Sequence, residues 1–348
     1  MAVKWLNLTK CQMNLFTNNE GNIMQITRRR FIGITAAMSV SALVSPTFAQ
    51  NDSPQPVIWR GVALGANAEL RLYHNNPAVA ENLIQQAIAE VNRLENIFSV
   101  YRENSQVSRL NRAGSLNAPS ADLLAVLSQA QSIHSLTNGA FDPTVQVLWQ
   151  RYANHFQRNP KSKIAPNLQA ALKRVGLHNM LISPQKIAFN QKGMAITLNG
   201  IAQGYITDRI TQLLQQQGMN HALVNMGEIR HLDTLKQHPE FAKIQNPKGS
   251  GTLPHHQIPL QNNALATSSG YGTPFDAEGK FTHLFDPRTG NSTPRYQSMS
   301  VLAKSAALAD ALSTAFAVSS EANIQAATQK IGAKVWLIGL NGNVKTMG

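Results

Sequence analysis

Cysteine is all but missing: the 348-residue chain holds 1. A disulfide framework, a Cys-rich zinc site and an iron–sulfur cluster are thereby excluded. Charged residues are sparse at 14%, against 43% hydrophobic, so the chain can bury a core and is not a disordered tail. No apolar run approaches the roughly eighteen residues that a membrane span needs. The common nucleotide and hydrolase signatures are absent as well. There is no Gly-x-Gly-x-x-Gly after a strand, no Walker loop, no His-Glu-x-x-His and no Gly-x-Ser-x-Gly. Acid is the scarcer sign of charge: 18 Asp and Glu face 31 Lys and Arg, a net +13.

The first 49 residues read as a leader rather than as fold. Thr27-Arg28-Arg29-Arg30-Phe31-Ile32 is a basic start, Gly33 to Val44 is a short apolar stretch, and Thr47-Phe48-Ala49 is a small-x-small cleavage site. Paired arginines before Phe-Ile fit the twin-arginine type, which predicts a periplasmic protein. Met24 is an alternative start. Cleavage after Ala49 removes the one cysteine, Cys11, and leaves 299 residues with a charge of +9. A cysteine-free chain suits an oxidising compartment. With no Lys/Arg block beyond Lys161–Lys163, the chain does not read as a nucleic-acid binder, while an anionic ligand or membrane surface is compatible.

Residues 50–348 read as one domain, with no linker or repeat. Val57–Tyr73 alternates and predicts a hairpin. Asn76-Pro77 opens a helix whose apolar face runs from Val79 through Val91 to Phe98. Ser120 caps a second helix, stopped at Asn138-Gly139, and Phe156–Pro166 reads as an exposed loop. Ala195–Leu198 reads as a strand and Tyr205–Gln217 as a helix ended by Gly218. Ala222–Met226 is a buried strand, and His238–Gln257 a loop or irregular hairpin. Ser298–Ala303 is a strand, Ala306–Ser319 a helix and Val335–Gly339 a strand. Hairpin-like pairs and irregular alternation predict an α+β fold, mixed sheets with helices, rather than a doubly wound parallel sheet.

Four clusters carry candidate chemistry. His283 precedes Asp286-Pro287-Arg288-Thr289-Gly290, a turn sequence in which Pro fixes φ and Gly accepts φ > 0. The turn needs no function by itself, but a histidine at its mouth could act as a general base near a phosphate. In Ala309–Thr314, Asp310 and Thr314 stand at i, i+4 on one helix face, expected to be exposed, with Ser313 beside them. A carboxylate with hydroxyls is a hard oxygen set suited to Mg²⁺; the alternative is a Thr bonded back to its own helix. Thr197–Tyr205 turns strand into helix through Gly200 and Gly204, exposing main-chain groups. Thr267-Ser268-Ser269-Gly270-Tyr271 ends a buried run and could bind phosphate or form an ordinary turn.

In this order the clusters resemble the ApbE family of FAD:protein FMN transferases. The resemblance rests on Leu64-Gly65-Ala66, on Phe98-Ser99-Val100-Tyr101 with Ser105 and Leu110-Asn111, and on Gly139-Ala140-Phe141-Asp142-Pro143-Thr144-Val145. It continues through Gly200–Asp208, Thr267-Ser268, His283–Gly290 and Ala309–Thr314. It implies an ApbE-like fold with a ligand cleft between two interwoven lobes. It implies Mg²⁺-dependent transfer of FMN from FAD to a Thr or Ser hydroxyl of a partner, with release of AMP. The partner would be a flavoprotein carrying Asp-x-x-[Ser/Thr]-[Gly/Ala]-Ala-Thr, of the membrane redox kind. By position, the metal ligands would be the Gly200 carbonyl, Asp310, Thr314 and Ser313. The flavin set would be Leu64, Tyr101, Ala140, Phe141, Asp142, Thr197, Gln203, Thr267, Phe285 and Asp286, with His283 as the base. Leu64, Thr197, Gln203 and Met226-Gly227-Glu228 depart from the family pattern and bear on affinity. An FAD pyrophosphatase and a non-catalytic flavin carrier are the rival functions.

Overall fold

The first hairpin turns on Leu64 and Gly65, both at positive φ (46° and 83°), the geometry that matches the twist of the strands it joins. A non-glycine residue there is strained, and the Glu95 carboxylate holds it by accepting from Leu64 N at 2.5 Å. A computed structural model describes residues 55–245, 247 and 252–348, without the side chains of 252–256. The expected leader lies outside the described residues.

In chain order the elements are β1 (Val57–Ala63), β2 (Ala66–Leu72), α1 (Pro77–Phe98), α2 (Gln106–Ala113), β3 (Ser115–Asn117) and α3 (Ala121–Leu136). Then come α4 (Gln146–Arg158), α5 (Gln169–Leu172), β4 (Met180–Ile182), β5 (Lys186–Phe189), α6 (Ala202–Gln216), β6 (His221–Asn225) and β7 (Ile229–Asp233). The chain closes with β8 (Phe241–Gln245), β9 (Thr252–Pro259), β10 (Ala264–Ser268), β11 (Ser298–Ala303), α7 (Ala306–Phe316), α8 (Glu321–Ile331), β12 (Lys334–Ile338) and β13 (Val344–Met347).

Eight strands form one sheet in the order β1-β2-β6-β7-β10-β11-β12-β13, and every pairing in it is antiparallel. This is the expected α+β architecture. One face is covered by helices, with Leu70, Val224, Ala266 and Val301 packed into the same core as Leu94, Ile206 and Leu312. The other face carries Leu223, Ile229 and Leu265 under the β8–β9 hairpin. A second, small sheet, β3-β5-β4, packs Leu116, Met180 and Ile187 into the main core, and a third core around Tyr152 and Phe156, under α4 and α5, makes up a small lobe.

The helix starts follow their caps. Asn76 accepts from Ala78 N and Ser120 from Leu123 N, as their positions before apolar stripes predict. Two expectations are corrected. Phe156–Pro166 is not wholly exposed: Phe156 is buried on the last turns of α4, where Leu148, Tyr152 and Phe156 recur every four residues and form one aromatic face. Ala195–Leu198 is not a ladder strand. Its main chain is held instead by the Asn111 amide, which accepts from Ile196 N and donates to Ile196 O, both at 2.8 Å, and by Pro143 O, which accepts from Thr197 N. A side chain thus does the work of a neighbouring strand. The expected irregular hairpin at 238–257 is β8–β9, with a register shift between Lys243 and Gln245.

Helices α6 and α7 meet at Gly204. A Cβ there would lie 2.2 Å from the Ala306 carbonyl oxygen, so only glycine permits the approach. Asp208, one turn further along α6, accepts from Ala306 N and Ala307 N at 2.8 and 3.0 Å and caps the start of α7. Gly204→Ala is expected to destabilise the fold by about 2 kcal/mol or more, read as a lower urea midpoint.

Candidate active site

At this crossing the N-terminus of α6 faces the polar stripe of α7. The free main-chain donor of Gly204 is satisfied by Asp310 Oδ2 at 3.1 Å. Asp310 is not on an exposed face, as the helical spacing suggested. It is 4% exposed, because α6 closes over that side of α7. Burial raises its carboxyl from the usual 3.8 to about 7, the Gly204 hydrogen bond opposes this, and the Asp208 charge adds to it.

Strand β10 supplies the next side chains. Ala266 faces the helices and Leu265 the hairpin, so alternation aims Ser268 at α7 and Thr267 away from it. Ser268 Oγ lies 2.7 Å from Ser313 Oγ and 3.4 Å from Thr314 Oγ1. Thr267 Oγ1 pairs with Ser300 Oγ at 2.8 Å. Ser268, not the side chain of Thr267, is therefore the member of this motif that joins the cluster. Gly200 closes it from the α6 side: a Cβ there would be 2.9 Å from Thr314 Oγ1. Gly200, Asp310, Ser313 and Thr314 are thus brought together.

Glu228, read from the sequence as a departure bearing on affinity rather than as a ligand, completes the group. It is buried with Oε2 unpartnered. Burial first, then the Asp310 charge, pushes its carboxyl well above the ordinary range, against a main-chain hydrogen bond at Thr267. The signal was an acid placed directly after the buried strand Ala222–Met226 and Gly227. Gly227 has φ 108°, and Gln203 packs against it, 2.7 Å from where a Cβ would stand. Among the described residues no three His, Cys, Asp or Glu side chains form a metal cluster. The donors here are two carboxylates and three hydroxyls, all hard oxygens, and this set fits Mg²⁺.

The segment after β10 leads to His283. Gly270 packs against Thr282, 2.8 Å from where its Cβ would be, and a bridge joins Pro274 to Thr282. His283 follows, with a main-chain hydrogen bond at Thr273 favouring its charged form and burial, the larger effect, lowering its pKa. It is held neutral, and Nδ1 is buried without a partner, free to accept a proton. The other clustered histidines serve packing: His221 stacks between Tyr73 and His238, at centroid distances of 3.8 and 4.2 Å. Chiefly through burial its pKa falls to about 4.

The remaining expected flavin residues are held on other segments. Tyr101 exposes its ring but hydrogen-bonds Asn199, beside Gly200. Ala140 and Phe141 are buried in the main core, and Phe285 packs on Tyr152 at 5.2 Å. Asp142 and Asp286 are committed to the chain itself. Asp142 accepts from Thr144 N, Thr144 Oγ1 and Leu177 N, and Asp286 from Arg288. Their carboxylates act as ties, because main-chain donors of tight turns reach them first. Thr197 is joined to this tie through Pro143 O, and Leu64 lies in the β1–β2 turn. Two recesses, of about 460 and 340 Å³, lie at Arg109–Asn117 and around Lys173 and Lys192.

The model of the ApbE family matches residues 64–337. An FAD:protein FMN transferase of Vibrio cholerae is 28% identical over 274 residues, covering 75% of this chain and 80% of the relative. One from Klebsiella pneumoniae is 24% identical over 326 residues, covering 90% and 93%. The crystal structure of the ApbE protein of Thermotoga maritima has a TM-score of 0.74 at 26% identity, covering 84% of this chain and 97% of its own. The apo form of the flavinyl transferase ApbE of Pseudomonas stutzeri shares the fold, with a TM-score of 0.72 at 20% identity and coverage of 86% and 97%.

The buried carboxylates set a pH dependence. A folded-state value of about 7 against 3.8 means that the stability contributed by Asp310 is complete below 3.8 and is lost as pH rises through 7. In EDTA, the urea midpoint of the wild type is expected to fall between about pH 5 and about pH 8, and to fall less in Asp310→Asn. Equal slopes would contradict the assignment.

Proposed function

The chain belongs to the ApbE family, and from that premise we propose that it is a flavin transferase, moving FMN from FAD to a Ser or Thr hydroxyl of a partner protein. The acceptor oxygen forms a bond to the FMN phosphorus, the pyrophosphate P–O bond breaks, and AMP leaves. His283 carries the reading: a half-buried imidazole, with its pKa lowered and Nδ1 unpartnered, takes the hydroxyl proton as the bond forms. The turn Asp286–Gly290 fixes the segment that bears it, through Gly290 N and Thr289 N donating to Asp286 O. Tyr101 at Asn199 supplies an exposed face for a flavin or adenine ring, and Phe285, buried in the aromatic core, anchors the segment that bears His283.

Asp310, Thr314, Ser313 and the Gly200 carbonyl would hold Mg²⁺, with Ser268 and Glu228 at its edge. When bound, the ion neutralises charge on the pyrophosphate. Ser268 positions the two α7 hydroxyls, and Gly204 N orients Asp310. The proposed setting is the periplasm, supported by Arg28-Arg29-Arg30 and the Ala49 cleavage site. The proposed acceptor is a membrane redox flavoprotein with the Asp-x-x-[Ser/Thr]-[Gly/Ala]-Ala-Thr segment.

Covalent FMN on such an acceptor, measured by in-gel fluorescence beside AMP release, tests the reading. Wild type yields both products. AMP without labelled acceptor identifies a pyrophosphatase, and flavin binding without either product a carrier. His283→Ala is expected to slow transfer about a hundredfold or more while FAD still binds by titration; a rate within a few-fold of wild type removes His283 as the base. Exported protein is expected to begin near Gln50 by N-terminal sequencing, and an intact Met1 or Met24 in the cytoplasm would refute export.

A further inference from the structure

The positive charge of the chain is concentrated. Between Asp142 and Asp208 there is no Asp or Glu, while Arg151, Arg158, Lys161, Lys163, Lys173, Arg174, Lys186 and Lys192 all fall there. These 8 cations match nearly the whole +9 that remains after the leader, although no dense run betrays them in sequence. The stretch contains α4 and α5, which cover the Tyr152–Phe156 core of the smaller lobe, and β4 and β5 of the small sheet. All eight side chains are exposed. Among the described residues, the only carboxylate ion pair any of them makes is Lys163 with Glu278, at 2.6 Å.

The interior and exterior of this lobe are sharply different. Inside, Leu148, Tyr152 and Phe156 pack on Phe275, Phe281 and Phe285. Outside, Lys173, Arg174 and Lys192, with Gln169 and Gln191, rim an open recess of about 340 Å³. The Arg174 guanidinium lies over the turn at Gly193 (φ 83°), where a Cβ would stand 3.2 Å from Nη1. Glycine lets that cation lie close to the chain. Ile164 and Leu181, 72% and 51% exposed, add isolated aliphatic side chains to the same basic stretch.

We infer that this lobe docks on anionic phospholipid surfaces, with the Lys173–Arg174–Lys192 recess taking a lipid phosphate. Three cations converging on an open recess suit a phosphate, and cations distributed over a surface add their attractions to a charged membrane. The recess lacks the buried aromatic anchors that mark the centre of a protein interface, and single exposed aliphatic side chains suit shallow insertion between headgroups. The inference is independent of the flavin chemistry. Its consequence for the protein is geometric: Phe285, two residues from His283, packs in the core beneath the basic layer, so docking would hold the base near the membrane.

The test is vesicle co-sedimentation of the full chain, with Arg28, Arg29 and Arg30 changed to Gln in every arm to silence the leader. Vesicles are phosphatidylcholine alone or with phosphatidylglycerol. Binding is expected only with phosphatidylglycerol, and is expected to weaken as salt rises. Reversal of Lys173, Arg174 and Lys192 to Glu is expected to cut binding by about tenfold or more, with an unchanged thermal midpoint. Reversal of Lys236, Lys330 and Lys334, exposed on other elements, is expected to change it by less than about twofold. Equal binding to both vesicles, equal loss in both reversals, or retention of poly-glutamate without any vesicle binding would overturn the proposal, the last in favour of an acidic protein partner.

Discussion

The approach of α6 to α7 at Gly204 is the constraint from which the site follows. Because no side chain separates the helices there, one main-chain N–H reaches Asp310, and Asp208 reaches back to the start of α7. Two carboxylates from different helices thus satisfy donors that helix starts leave free. The register of α7 against β10 is set at the same time. Ser268 meets Ser313 and Thr314, and Gly200 closes over Thr314, only when α7 sits at this depth.

Electrostatics gives that packing its chemical character. Asp310 and Glu228 are drawn together in a space with few donors, and burial raises both above their usual range. Such a pair is costly to the isolated fold and favourable to a bound cation, whose charge reverses the sign of the interaction. The proposed base, His283, obeys the opposite logic. Burial holds His283 neutral, which is the form that accepts a proton. Under the proposed function, one structural cause, removal from water, would prepare an acid pair for a cation and an imidazole for a proton. The two meet through a short segment, since Gly270 follows Ser268 by two residues and packs on Thr282, next to His283.

Much was legible in the chain because it rests on local physics. Asn76 and Ser120 as caps, the Leu64-Gly65 hairpin turn, and the strand and helix of Ser298–Phe316 depend on neighbours within a few residues. The antiparallel α+β class, the i, i+4 pairing of Asp310 with Thr314, and the family resemblance were readable for the same reason. Tertiary structure alone decided what faces what. Ala195–Leu198 has a strand's composition but takes its hydrogen bonds from Asn111 and Pro143. Asp310 has the spacing of an exposed helix face but lies under α6. Ser268 and Thr267 are neighbours of like chemistry, and only the sheet's two covered faces assign the first to α7 and the second to Ser300. Glu228 and the eight cations between Asp142 and Asp208 take their meaning from burial and exposure. Those quantities belong to packing between distant segments, which no local rule of sequence encodes.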